Sequence, residues 1–172
     1  MKTLPAFIFA LSALGLPLIA ADPKADAGAH NLSEFQLGPL ITGPDVKLAD
    51  AKGKAVLIDE WGIHCGPCLA SLPEIEKISK RYKDKLVVFG GHAQEGTDEE
   101  VKAVVAKNRL TYTVTKGVSG PIQVTGIPHV FIFDPTGKLM FSGSPFDKEF
   151  ERALHHATAG TGNATASAFP EH

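Results

Sequence analysis

Cys65 and Cys68 are the only thiols in a chain of 172 residues. They stand two residues apart in Trp61-Gly62-Ile63-His64-Cys65-Gly66-Pro67-Cys68, where an apolar run gives way to a helical pattern. A thiol at the start of a helix has unpaired backbone N–H groups and the positive end of the helix dipole beside it. Both favour thiolate over thiol, so the pair reads as a reactive dithiol. Cys65 would be the attacking thiol, its pKa falling toward roughly 7 as in related Cys-x-x-Cys pairs. Cys68, one helical turn on, is close enough to attack the Cys65 sulfur in its turn. A purely structural disulfide is a poor alternative, because closing so short a loop removes little chain entropy.

The elements that must hold this pair can be read on either side of it. Residues 55–58 (Ala-Val-Leu-Ile) are too few for a helix and follow the turn signal Gly53-Lys54, as expected of a central buried strand. That strand ends in Asp59-Glu60-Trp61, next to the cysteines. From Gly66 to about residue 82, Leu69, Leu72, Ile75 and Ile78 recur at helical spacing, with Lys and Glu on the other face. Pro73 inside that pattern predicts a kink. Residues 85–90 read as a second buried strand. Thr97 and Glu100 form a capping-box pattern for a helix to about residue 108. Residues 111–115 read as a short strand, 130–133 and 138–141 as a hairpin, and 146–157 as a closing helix. Residues 35–48 look like short strands joined by turns. The order implies an α/β domain with a mixed sheet and flanking helices.

Composition narrows the field. With 44% hydrophobic and 21% charged residues and a net charge of −2, the chain suits one soluble globular domain. Near-neutral charge gives no reason to expect nucleic acid as a partner. Two cysteines make neither a disulfide scaffold nor a four-cysteine zinc site, so no metal centre is expected. Lys2, an uncharged run over residues 4–19 and then Ala20-Ala21-Asp22 read as a secretory signal peptide over residues 1–21. Pro5, Gly15 and Pro17 interrupt the run, which is short for a spanning helix and argues against a retained anchor. The dithiol is therefore expected outside the cytoplasm, in a periplasm-like compartment where thiols tend to be oxidised. Residues 22–32 read as a linker, 33–157 as the domain and 158–172 as a disordered tail.

Residues 55–73 resemble the active-site segment of thioredoxin, and Gly126-Ile127-Pro128 before a hairpin resembles the cis-proline loop of that fold. The N-terminal segment, the signal peptide and Phe131-Ile132-Phe133-Asp134-Pro135-Thr136-Gly137-Lys138 look more like the extracytoplasmic TlpA/ResA-type branch. The resemblance covers about residues 33–157. It implies a thioredoxin-like fold with an N-terminal strand extension, and a protein-disulfide oxidoreductase that needs no cofactor. Asp59 falls at the buried acid of thioredoxin and is the first candidate to accept the Cys68 proton, with a pKa raised by burial and with Glu60 as the second candidate. Glu60 points to the other side of its strand and is expected at the surface or in a salt bridge. Trp61, Ile127 and Pro128 are the expected substrate-binding residues, a cis bond leaving the Ile127 backbone free to pair.

Several residues depart from the family pattern. His64 stands where an aromatic residue is usual, Ser71 where ResA-type members carry a glutamate, and Glu60 where a core aromatic is common. His129 follows the proline in place of a small hydroxyl residue. His64 either tunes Cys65 as an imidazolium or is an exposed spacer. His92, after a strand end, and His129, after Pro128, either approach the dithiol or are exposed or satisfied, the second reading being preferred.

Gly66-Pro67 is the intervening pair of reducing thioredoxins, in a fold whose potentials run from about −270 mV to about −120 mV for DsbA. The expected activity is reduction of protein disulfides, with re-reduction by a membrane thiol transporter. The resemblance suggests apocytochrome c maturation or a related thiol-repair task. Two alternatives stay open: a disulfide-forming oxidase using the same residues in reverse, and a copper chaperone using Cys65, Cys68 and a histidine such as His129. A peroxiredoxin-type peroxidase needs Thr three residues before its cysteine, where this chain has Gly62.

Overall fold

The computed structural model describes residues 29–159. The expected signal peptide, most of the expected linker and the tail beyond residue 159 lie outside the described residues. Strand β3 (Ala55–Trp61) is buried along its whole length. Its apolar run is flanked on both sides: β4 (Leu86–His92) pairs with it in parallel and β7 (His129–Phe133) antiparallel. Beyond β4 lies β5 (Thr113–Thr115), parallel to it, then β2 (Leu40–Thr42), antiparallel to β5. Beyond β7 lies β8 (Leu139–Gly143), its hairpin partner. The six strands thus run β2-β5-β4-β3-β7-β8, and β1 (Gln36–Leu37) pairs with β6 (Val118–Ser119) in a separate ribbon. The fold is thioredoxin-like, an α/β domain with a mixed central sheet.

Alternation along β3 divides the core. Ala55, Leu57 and Trp61 join a cluster with Cys65 and Cys68, and all three helices feed it. α1 (Gly66–Arg81) contributes Leu72, Ile75 and Ile78; α2 (Asp98–Asn108) Val101 and Val105; α3 (Phe150–Thr158) Phe150, Leu154 and Ala157. Val56 and Ile58 face the other way, into Phe35, Phe89, Phe131 and Phe133. That second face is covered by two 3-10 turns, Leu32–Glu34 and Leu48–Ala51, and by residues 118–124.

Here the expectation for Glu60 fails. It does point opposite to Asp59, but that side is a second core and not solvent, so Glu60 is only 6% exposed and makes no salt bridge among the described residues. Glu76 is also buried, on a helix face read as polar. Its carboxylate is satisfied by the Thr111 N–H (2.9 Å) and hydroxyl (2.8 Å) and by Lys80 (3.0 Å). α1 runs uninterrupted through Pro73. The capping box of Thr97 and Glu100 opens α2 as expected. α3 starts at Phe150, because Asp147 accepts the Ser144 N–H at 3.0 Å and folds the preceding residues into a turn. At the ends of the domain, Asn31 caps the first 3-10 turn and Thr158 closes α3 by donating to Leu154 O at 2.8 Å.

Candidate active site

β3 ends at Trp61 and α1 begins at Gly66, so the short connection between them carries Cys65 to the helix N-cap. Cys65 is extended (φ −101°, ψ 101°), and its Sγ accepts the Cys68 N–H at 3.2 Å, one of the N–H groups a helix start leaves free. Gly66 and Pro67 form the exposed first turn, where a proline costs no hydrogen bond. The two cysteines are joined as a disulfide, with their Cα atoms 5.2 Å apart. They are not equivalent: Cys65 retains 8% exposure and Cys68 none.

Asp59 lies on the dithiol side of β3, fully buried, and neither carboxyl oxygen has a hydrogen-bond partner among the described residues. Trp61 Nε1 and the Tyr112 hydroxyl are buried and unpartnered too. Gly90, across from Asp59 on β4, leaves room for Trp61 and Tyr112: a Cβ there would sit 3.0 Å from Trp61 Nε1 and 3.1 Å from the Tyr112 ring. Burial, and then repulsion from Glu60, raise the Asp59 carboxyl from its ordinary 3.8 to about 7. Burial and the Asp59 and Glu76 carboxylates push the Tyr112 phenol well above its usual value. An acid like Asp59 can exchange a proton near neutral pH.

On the other side of the disulfide, the Ile127–Pro128 peptide bond is cis, and Cys65 Sγ lies 3.7 Å from the Ile127 carbonyl oxygen. Ile127 and Pro128 are half-buried, with Gly126 exposed beside them.

Residues 31–154 match the Redoxin family model. The chain belongs to the Redoxin family. It is 33% identical over 128 residues to the thioredoxin-like protein YneN of Bacillus subtilis, covering 70% of this chain and 75% of that protein. The thiol-disulfide oxidoreductase ResA of Bacillus thuringiensis is 29% identical over 124 residues, covering 69% and 72%. Among solved structures, the putative thiol:disulfide interchange protein DsbE from Chlorobium tepidum superposes with a TM-score of 0.59 at 26% identity, covering 74% of this chain and 99% of that one. Within the family the chain is of the TlpA/ResA type, and with its Cys65–Cys68 pair it is a thiol-disulfide oxidoreductase.

In this Redoxin domain two further side chains, His92 and the Gln94 that sequence reading missed, hold the dithiol loop from β4 and the residues just after it. His92 is 6% exposed and its Nε2 accepts the Ile63 N–H at 3.3 Å; its ring packs edge-on against Trp61 at 5.5 Å. Burial, and then the charge of His64, hold its pKa below the ordinary 6.5, in keeping with a neutral acceptor nitrogen. Gln94 Oε1 accepts the His64 N–H at 2.9 Å. Gly62 makes that approach possible, since a Cβ there would lie 2.1 Å from Gln94 Oε1. The signal that could have found His92 is the parallel register of β3 and β4, which sets it opposite Trp61.

The remaining candidates fall elsewhere. His64 is exposed and held through its backbone, not its ring. Trp61 is fully buried, so it supports the site from the core and offers substrate no surface, contrary to its expected binding role. Ser71 donates to Cys68 O at 2.8 Å. His129 is half-buried on the Glu60 side of the sheet, 2.9 Å from Ser142 Oγ, and packs on Phe131. Among the described residues no group of three His, Cys, Asp or Glu side chains could hold a metal, so His129 does not complete a copper site with the cysteines.

Proposed function

We propose that this thiol-disulfide oxidoreductase reduces protein disulfides outside the cytoplasm. The observation that carries the mechanism is the asymmetry of the pair: Cys65 at the helix start on the surface, Cys68 sealed beneath it on the side of Asp59. In the reduced protein the Cys65 thiolate attacks one sulfur of the substrate disulfide. An S–S bond forms from Cys65 to substrate, and the substrate's second sulfur leaves as a thiolate. Asp59 takes the Cys68 proton, and the Cys68 thiolate attacks Cys65 Sγ. The substrate's first sulfur leaves, and two electrons have passed to the substrate. Ile127 and Pro128, beside Cys65, pair with the substrate backbone.

The reductive direction rests on Gly66-Pro67, the intervening pair of reducing thioredoxins. The extracytoplasmic setting rests on the pattern of residues 1–21; there the oxidised protein is re-reduced by a membrane thiol transporter. The test is a Cys68→Ser variant expressed with its leader in a bacterial host. A mixed disulfide between Cys65 and an extracytoplasmic protein, identified by mass, is expected. Recovery of no protein partner contradicts the proposal.

A further inference from the structure

Glu60 closes the floor of a cavity of about 310 Å³ on the face of the sheet away from the helices. The cavity is walled by Phe35, Val118, Ile122, Gln123 and Phe131. We propose that this cavity is a cation subsite, which takes a primary ammonium or guanidinium group on a short apolar stem, with the Glu60 carboxylate as counter-ion.

Four observations carry the proposal. The Glu60 side chain is more than nine-tenths buried and lines the cavity, yet it has no hydrogen bond or ion pair among the described residues. An ionised carboxylate buried without a partner is strongly disfavoured, so a ligand that brings a positive charge gains more there than at the surface. No residue lining the cavity is cationic. The nearest titratable side chain on the neighbouring strand, His129, is the cross-strand partner of Glu60 but is committed to Ser142. Burial lowers its pKa, with only a partial opposing effect from Asp147, so it stays neutral at neutral pH.

The walls fit the rest of such a ligand. Phe35 and Phe131 stand edge to face with centroids 5.0 Å apart, and aromatic faces attract cations. Val118 and Ile122 suit a methylene stem. An anion is excluded by the carboxylate. A bare metal ion would find one carboxylate and no second ligand of its kind among the lining residues. The volume is at the lower end for ligand sites and suits one side-chain-sized group.

Occupancy would reach the dithiol by two routes. Residues 118–124 form one wall and continue, after Thr125 and Gly126, into Ile127 and Pro128. Through the strand, the Glu60 charge acts on Asp59, and a cation beside Glu60 cancels that repulsion. The subsite itself does not depend on the direction of electron flow.

The test is an NMR titration of the oxidised protein, following the methyl resonances of Val118 and Ile122. The probes are n-butylammonium and n-propylguanidinium, with n-pentanol as the neutral isostere. Saturable shifts are expected with both cations, weaker by roughly ten- to a hundredfold in Glu60→Gln, the ratio a charge-assisted hydrogen bond supplies. Equal affinity of wild type and Glu60→Gln, binding of n-pentanol as strong as that of the cations, or no saturable shift overturns the proposal. Should Glu60→Gln not fold, the wild type decides alone. Burial raises the Glu60 carboxyl to about 7. Cation affinity should therefore fall as the pH drops below that value, with Asp59 on the same strand and His129 opposite as the other groups titrating nearby; affinity independent of pH between about 5 and 8 overturns the proposal. Disulfide-bearing peptides with lysine or norleucine near the cysteine then separate the sources. A lysine preference in kcat/KM that Glu60→Gln abolishes assigns the cation to the substrate protein; binding of the free probes without that preference assigns it to a soluble amine.

Discussion

Asp59 and Glu60 are consecutive on β3 and face opposite sides of the sheet, and both carboxyls are buried and raised to about 7. One strand therefore carries one buried acid toward the dithiol and a second toward an open cavity. Burial is the main cause for each, and the Glu60 charge adds to the shift of Asp59.

Replacing Asp59 by Asn should slow the second step and not the first. Loss of a general base costs about 10²–10⁴-fold. Mixed disulfide should accumulate in single-turnover gels, while the rate of its formation changes little. Slowed formation with normal resolution would place the base elsewhere.

The same substitution should change the pH dependence of stability. The folded-state pKa of Asp59 lies above its ordinary 3.8, so between that value and about 7 the folded state holds a proton that the unfolded state has lost. Stability is full below the lower value and falls as pH rises through the window. Asp59→Asn should therefore be more stable than wild type at pH 8, with the gap closing near pH 4. Each tenfold difference in proton affinity between the folded and unfolded states is worth about 1.4 kcal/mol, which puts the gap on the order of a few kcal/mol. Denaturant melts across that range measure it.

His92 should act with the opposite sign. Its folded pKa lies below 6.5, so stability is full above that value and falls as pH drops through the folded pKa. Protonation also removes the acceptor for the Ile63 N–H. His92→Gln should flatten the acid side of the stability profile, and wild-type hydrogen exchange at the Ile63 amide should lose protection at acid pH. An Ile63 amide equally protected at every pH would contradict the bond.

Gly62→Ala should destabilise by about 1–3 kcal/mol by forcing Gln94 off the His64 amide. The clash needs Gln94, so in a Gln94→Ala background the same change should cost less. A double-mutant cycle reads the coupling. Strict additivity would mean that the two residues do not meet.

Much of the fold was legible in the residues. The apolar run of β3, the periodicity of α1, the capping box of α2 and the hairpin of β7 and β8 each have a local signal, and together they give the architecture. The cysteine spacing, at the junction of an apolar run and a helical pattern, located the dithiol. What was not legible depends on which face of an element is covered. Glu60 and Glu76 look solvent-facing by period, yet residues 118–124 and Thr111 enclose them from far along the chain. His92 and Gln94 touch the dithiol loop only because β4 lies parallel to β3 in one register. Trp61 packs beside the cysteines, as its place next to them suggests, but as an inward residue of a central strand it is core and reaches no surface.

The reduction potential of the Cys65–Cys68 couple, measured by equilibration with glutathione or thioredoxin, tests the direction of electron flow most directly. A value near that of thioredoxin, about −270 mV, is expected for a reductant; a value near that of DsbA, about −120 mV, would make the protein an oxidant and contradict the proposal.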